Sequence, residues 1–121
     1  MKSIKFITIT ILAALIMFGI FKNLFSKSNS ENLAALINEG AYLVDVRTPA
    51  EFANGSVNGA VNIPLDKISN QLAKFKPKSH IIVFCRSGNR SSQAKSILEQ
   101  YGFTNVTNGG TWQNVNQYVS K

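Results

Sequence analysis

The chain is poor in the residues that staple small proteins or hold metals. It has one cysteine, Cys85, so no internal disulfide can form. An unpaired cysteine in an exported chain points instead to a reactive thiol or an intermolecular link. It has one histidine, His80, and one Cys with one His falls short of the three or four protein ligands of a usual zinc site. Acidic residues are scarce as well. Six Asp and Glu face thirteen Lys and Arg, a formal charge of +7, and no acidic residue precedes Glu31. Lys2, Lys5, Lys22 and Lys27 carry that early excess, and the remainder holds nine basic against six acidic side chains, a net of +3. The high pI is thus partly a property of one end. Lys74, Lys76 and Lys78 come nearest to a basic cluster, but their spacing around Pro77 reads as a solvated loop, so no nucleic-acid partner is expected. With 121 residues, no internal repeat and no low-complexity segment, there is room for one small domain. No cofactor or metal is expected.

What is present begins with an apolar run. Phe6 to Phe21 is uncharged, with Lys2 and Lys5 before it and Lys22 and Lys27 after it. As a helix it would extend roughly 24 Å, a little short of the ~30 Å hydrocarbon core, and flanking lysines can snorkel to make up the difference. A cleaved secretory signal fits the same pattern, but small residues are missing at a cleavage site, where Phe21-Lys22-Asn23-Leu24-Phe25-Ser26 is bulky. No polar face alternates with the apolar one, which argues against a buried core helix. The expectation is an uncleaved anchor over residues 1–25, a polar linker over 26–30 and a folded domain over 31–121. The charge balance slightly favours a domain outside the cytoplasm, hence a membrane-anchored or exported protein of a bacterial-type cell envelope, with residues 6–21 meeting the membrane.

The domain alternates strand and helix signals. Ser28 to Glu31 has capping-box spacing, with Leu33, Leu36 and Ile37 on one face and Gly40 behind them. Ala41 to Val46 is a short apolar run interrupted by Asp45. Thr48-Pro49-Ala50-Glu51 starts a second helix that Asn54-Gly55 must end. Val57 to Pro64 holds a brief strand, and Leu65, Ile68, Leu72 and Phe75 follow at helical spacing. His80 to Phe84 is the central strand and Ser91 to Tyr101 a helix. Phe103 to Thr107 reads as a last strand, and Gly109-Gly110-Thr111 as a turn capping a final helix with Trp112, Val115 and Val119. The pattern predicts an α/β fold, a small, mostly parallel sheet with helices on both faces, preceded by the N-terminal hydrophobic helix.

The chemistry centres on Phe84-Cys85-Arg86-Ser87-Gly88-Asn89-Arg90-Ser91. A thiol at the carboxyl end of a buried strand, facing the first turn of a helix, sits where open α/β sheets bind ligands. Free N–H groups and the helix dipole favour an anion there and lower a thiol pKa. Gly88 leaves the turn concave and can take positive φ, so a turn this tight aims successive N–H groups at one atom, a nest that would stabilise a thiolate or the outer sulfur of a persulfide. Arg86 and Arg90 add charge that can orient an oxyanion. A lone strand-end Cys is often only a small core residue. The two-arginine turn after it favours a nucleophile open to solvent. No general base is evident, since His80 lies about 16 Å away at the other end of the strand. The reaction must then start from a thiolate and release a group that needs no proton.

Asp45-Val46-Arg47-Thr48-Pro49-Ala50-Glu51-Phe52, Gly59-Ala60-Val61-Asn62-Ile63-Pro64, Cys85 to Ser91, Gly102-Phe103 with Val106, and Gly109-Gly110 before Trp112 together resemble the rhodanese homology domain, from about Leu33 to Val119. The resemblance implies a single-domain thiosulfate sulfurtransferase. Cys85 would take sulfane sulfur from thiosulfate or another persulfide-type donor and pass it to cyanide or a thiol. Residues 86–90 would cradle the anion, and Asp45 and Arg47 would be mainly structural supports near the mouth of the site. A membrane-tethered persulfide carrier with little turnover fits the same loop. Rhodanese-like phosphatases and arsenate reductases have one more residue between Cys and Arg than the Cys-x4-Arg found here, which cramps a tetrahedral phosphoryl group. Ser56 stands where the family often has His and is expected to be silent for chemistry. The family's usual first strand before the Leu33 helix is missing or very short.

Overall fold

Four short strands, all parallel, stand side by side in the order β2-β1-β3-β4. The computed structural model describes residues 29–119, with side chains from residue 32. The elements are α1 (Asn29–Asn38), β1 (Tyr42–Asp45), α2 (Pro49–Ala53), β2 (Val61–Asn62), two 3₁₀ segments (Leu65–Asn70 and Leu72–Lys74), β3 (Ile81–Cys85), α3 (Asn89–Gln100), β4 (Val106–Thr111) and α4 (Trp112–Asn116). The expected anchor at residues 6–21, the linker up to residue 28 and Ser28 of the capping box lie outside the described residues; Asn29 and Ser30, expected in the linker, already belong to α1, so the helix starts before the expected domain boundary at residue 31. Among the described residues no helix is long and apolar enough to cross a membrane, and the family's extra leading strand is not among them.

The strand period of two divides the core. Ile81, Val83 and Cys85 of β3 join Val44 and Val46 on one face, beneath Ala94 and Leu98 of α3, Ile68 of the first 3₁₀ segment and Phe75 just after the second. Ile82 and Phe84 point the other way with Leu43, against Leu33 of α1 and Val115 of α4. Every residue of β3 is buried, as a central parallel strand covered on both faces requires. The strand order reverses between β1 and β3, so the loops leaving their carboxyl ends flank the crevice where doubly wound sheets place ligands.

Local signals explain most boundaries. Thr48 caps α2 with the full capping box, its Oγ1 accepting from Glu51 N–H while Glu51 reaches back to Thr48 N–H. Two stretches differ from the sequence reading. Residues 65–75 form two 3₁₀ segments joined at Gln71 (φ −127°), not one α-helix. Leu65 with Ile68, and Leu72 with Phe75, are each three apart, a spacing that 3₁₀ turns satisfy as well as α-helices do. The last strand starts at Val106 and runs through the glycine pair that reads as a turn. Val83 pairs with Asn108 but Phe84 with Gly110, so Gly109 is the extra residue of a β-bulge. Gly109 is buried, and a Cβ there would stand 2.5 Å from Val115 Cγ2 and 3.0 Å from Ile82 Cγ2. The bulge needs glycine because helix and strand close over it.

Candidate active site

Cys85 ends β3 and the chain turns at once. Gly88 takes φ +92°, the left-handed region that glycine enters without penalty, and forms the N-cap of α3. That turn folds the main chain back over the sulfur. Gly88 N–H donates to Cys85 Sγ at 3.0 Å, and the Ser91 hydroxyl lies 3.4 Å from it. Burial pushes the Cys85 thiol up. The Ser91 hydroxyl and the amides of Ser91, Ser87 and Gly88 pull it down, and the balance leaves the thiol below its ordinary 9.0.

The expectation of an open thiol is not met, because Cys85 is 0% exposed. The physical reason is the turn itself, whose amides close over the sulfur they bind. The cover is thin. Gly88 is half-buried, and Arg86, Ser87 and Asn89 are exposed.

The two arginines of the loop differ. Arg86 is exposed. Arg90, in the first turn of α3, forks onto Glu51, with Nη1 to Oε1 at 2.7 Å and Nη2 to Oε2 at 2.9 Å. The Arg90 guanidinium, followed by Thr48 N–H, holds the Glu51 carboxyl down to about 2. Arg90 therefore ties the cysteine loop to the loop after β1, and of the two side chains read as anion handlers only Arg86 stands clear of a carboxylate.

Asp45 and Arg47 form a buried ion pair at the end of β1, Nη2 to Oδ2 at 2.7 Å, with side chains 0% and 6% exposed. Asp45 Oδ1 accepts from Arg47 N–H at 2.9 Å and Oδ2 accepts from Ser56 Oγ at 2.6 Å. Arg47 Nη2 donates to Gly55 O at 2.6 Å, and its guanidinium lies 5.4 Å from the Trp112 ring centre. Ser56 thus completes the carboxylate's hydrogen bonds. His80 lies at the amino end of β3, where its Nε2 sits 2.8 Å from Thr107 Oγ1. Among the described residues no three His, Cys, Asp or Glu gather to hold a metal ion. Beside Arg90 a cavity of about 430 Å³ opens between Val46, Leu65 and Ile97.

Sequence reasoning missed three participants. Ser91, quoted only as part of the motif, places its hydroxyl 3.4 Å from the sulfur. Asn108 of β4 accepts from that hydroxyl at 2.7 Å and donates from Nδ2 to Gly88 O at 3.2 Å. Glu51, which the sequence offers as a helix cap and as part of the first motif, is the carboxylate that holds Arg90. No local pattern in the sequence marks Asn108, which strand register and the bulge at Gly109 bring to the cysteine loop.

This parallel sheet, with an amide-ringed cysteine at its switch point, matches a known class. The rhodanese-like domain family matches residues 29–111 of the chain. The chain is 39% identical over 69 residues to the thiosulfate sulfurtransferase PspE of Escherichia coli (strain K12), covering 55% of this chain and 66% of that protein. It is 39% identical over 83 residues to a sulfurtransferase of Allochromatium vinosum, covering 69% and 76%. The structure of the human single-domain sulfurtransferase TSTD1 superposes with a TM-score of 0.62 at 28% identity, covering 74% of this chain and 94% of that one. The protein belongs to the rhodanese-like domain family. Its single buried cysteine occupies the active-site position of that sulfurtransferase family.

Proposed function

We propose that the protein transfers sulfane sulfur from thiosulfate, or a similar donor, to a thiol or cyanide by way of a persulfide on Cys85. One observation carries this: the turn after a lone strand-end cysteine brings Gly88 N–H to 3.0 Å from its sulfur, and the loop's amides with the Ser91 hydroxyl hold the thiol below its ordinary pKa. The related sulfurtransferases of E. coli and A. vinosum support it. In the first half-reaction the Cys85 thiolate attacks the outer sulfur of thiosulfate. A bond forms between Sγ and that sulfur, the bond to the central sulfur breaks, and its electron pair leaves with sulfite. No proton need be supplied, which fits a site whose only histidine sits at the far end of β3. In the second half, an acceptor thiolate or cyanide attacks the outer sulfur and the electron pair returns to Sγ. Arg86 draws the anionic donor to the loop. Because the sulfur is covered, the donor reaches it by displacing exposed loop residues.

Turnover tests the reading. Cys85→Ser is expected to abolish sulfur transfer from thiosulfate to cyanide while the far-ultraviolet circular dichroism stays unchanged; retained turnover refutes it. A wild-type protein that holds the persulfide but turns over very slowly would mark it as a carrier.

The apolar run at residues 6–21 supports a place at a membrane with the domain outside the cytoplasm. The full chain should then sediment with membranes and resist alkaline carbonate extraction. Release by carbonate contradicts an anchor.

A further inference from the structure

The Ser91 hydroxyl has one proton, and three acceptors compete for it. Its Oγ lies 2.7 Å from Asn108 Oδ1, 3.1 Å from Gly88 O and 3.4 Å from Cys85 Sγ. Gly88 O already accepts from Ser92 N–H at 3.0 Å and from Asn108 Nδ2 at 3.2 Å, which occupies both lone pairs. The Asn108 amide is fixed the same way, since Nδ2 faces that carbonyl while Oδ1 accepts from Gly110 N–H at 2.9 Å. One lone pair of Oδ1 remains, and Ser91 points at it. The contest is therefore between Asn108 and the sulfur.

The two protonation states of Cys85 resolve it differently. A neutral thiol donates S–H to Ser91 Oγ, and Ser91 donates to Asn108, so every proton has a place. A thiolate has no proton to give. If the Ser91 hydroxyl turns to the sulfur, Asn108 Oδ1 loses a partner in a part-buried site. If it stays, the sulfur keeps only its amides. We propose that Asn108 is a positioning residue that sets the ionisation of Cys85 through Ser91, by competing for the hydroxyl proton that stabilises the thiolate.

The bulge puts Asn108 there. Asn108 is two residues after Val106, on the strand face that β4 turns toward Cys85 and α3, and Gly109 absorbs the change of register just beyond it. The charged groups around the sulfur are Arg86 and Arg90 of its own loop, the second paired with Glu51 of α2, and the Asp45–Arg47 pair ending β1. β4 and α4 bring no charge, so what β4 offers Cys85 is the Asn108 dipole. On the sulfurtransferase reading the hydroxyl turns once per half-reaction. It faces Asn108 while Sγ is bonded to the transferred sulfur, and returns to the sulfur as that bond breaks. The chain neither gains nor loses a proton.

The test is the pKa of Cys85 in the full chain, from the pH dependence of iodoacetamide alkylation, for wild type, Asn108→Ala, Ser91→Ala and the double variant. Asn108→Ala should lower the pKa by about one unit, the size of one hydrogen bond to a charged group. Ser91→Ala should raise it, and Asn108→Ala should have no effect in that background. No shift, or the same shift in both backgrounds, overturns the proposal. Asn108→Asp, which keeps the shape, is a second variant if alanine loosens the loop. It should raise the pKa more in wild type than in the Ser91→Ala background, and equal rises overturn the proposal. Alkylation uses no thiosulfate. A failure of the sulfurtransferase reading would therefore show as absent sulfur loading with this pKa pattern intact.

Discussion

Cys85 sits under opposed influences. It is fully covered, which disfavours charge, yet its turn aims successive N–H groups at one atom, which favours charge. The second influence wins, and that sets how the side chain reacts with pH. The thiolate fraction rises with pH, so the rate of alkylation by iodoacetamide should rise with a midpoint below the ordinary 9.0. A midpoint at or above 9.0 would mean that the amides do not compensate for burial. The loop was legible because its geometry is local. A strand that ends in cysteine, a glycine three residues on and a helix after it fix where Sγ lies relative to Gly88 N–H. The burial of the sulfur and the contact with Asn108 were not legible. Ser91 and Asn108 are seventeen positions apart, and only strand register and a bulge bring them together.

Between elements, two ion pairs bind the loops at the carboxyl ends of β1 and β3. They differ in kind. Arg90–Glu51 is about one-third exposed on each side, a surface pair that orients the cysteine loop against α2. Asp45–Arg47 is buried and carries Ser56, Gly55 and Trp112 with it. Removing one partner of such a pair leaves a charge buried without its counter-ion, a loss of about 3–5 kcal/mol. Arg47→Met should therefore lower the unfolding free energy from urea titration by about that amount, and with it the urea midpoint, while the reactivity of the Cys85 thiol in the folded state is kept. A change near zero would show that Asp45 is satisfied by Ser56 and its own loop amide. The sequence places Asp45 and Arg47 two apart and so within reach of each other. Ser56 and Trp112 join through the fold, which is why Ser56 read as silent. At residues 65–75 the three-residue spacing of Leu65 with Ile68 and of Leu72 with Phe75 satisfied two kinds of helix, and packing on the sheet chose the tighter one.

Across the whole molecule, the order β2-β1-β3-β4 makes these local devices one site. Because the order reverses between β1 and β3, the loops that follow these two strands flank a single crevice. The end of β1, its loop and the start of α2 carry Asp45, Arg47 and Glu51, and the end of β3, its loop and the start of α3 carry Cys85 to Ser91. The alternation of apolar runs and helix starts was enough to foresee a parallel sheet covered on both faces. Strand lengths and the bulge in β4 depend on how Gly109 fits against Val115 and Ile82, which no periodicity encodes. On the proposed function Cys85 accepts a sulfur atom from thiosulfate. Intact-mass measurement of the reduced full chain before and after thiosulfate, with Cys85→Ser alongside, tests it most directly. The wild-type chain should gain one sulfur atom, lost on adding cyanide and absent from the variant. An unchanged wild-type mass, or the same gain in Cys85→Ser, would contradict it.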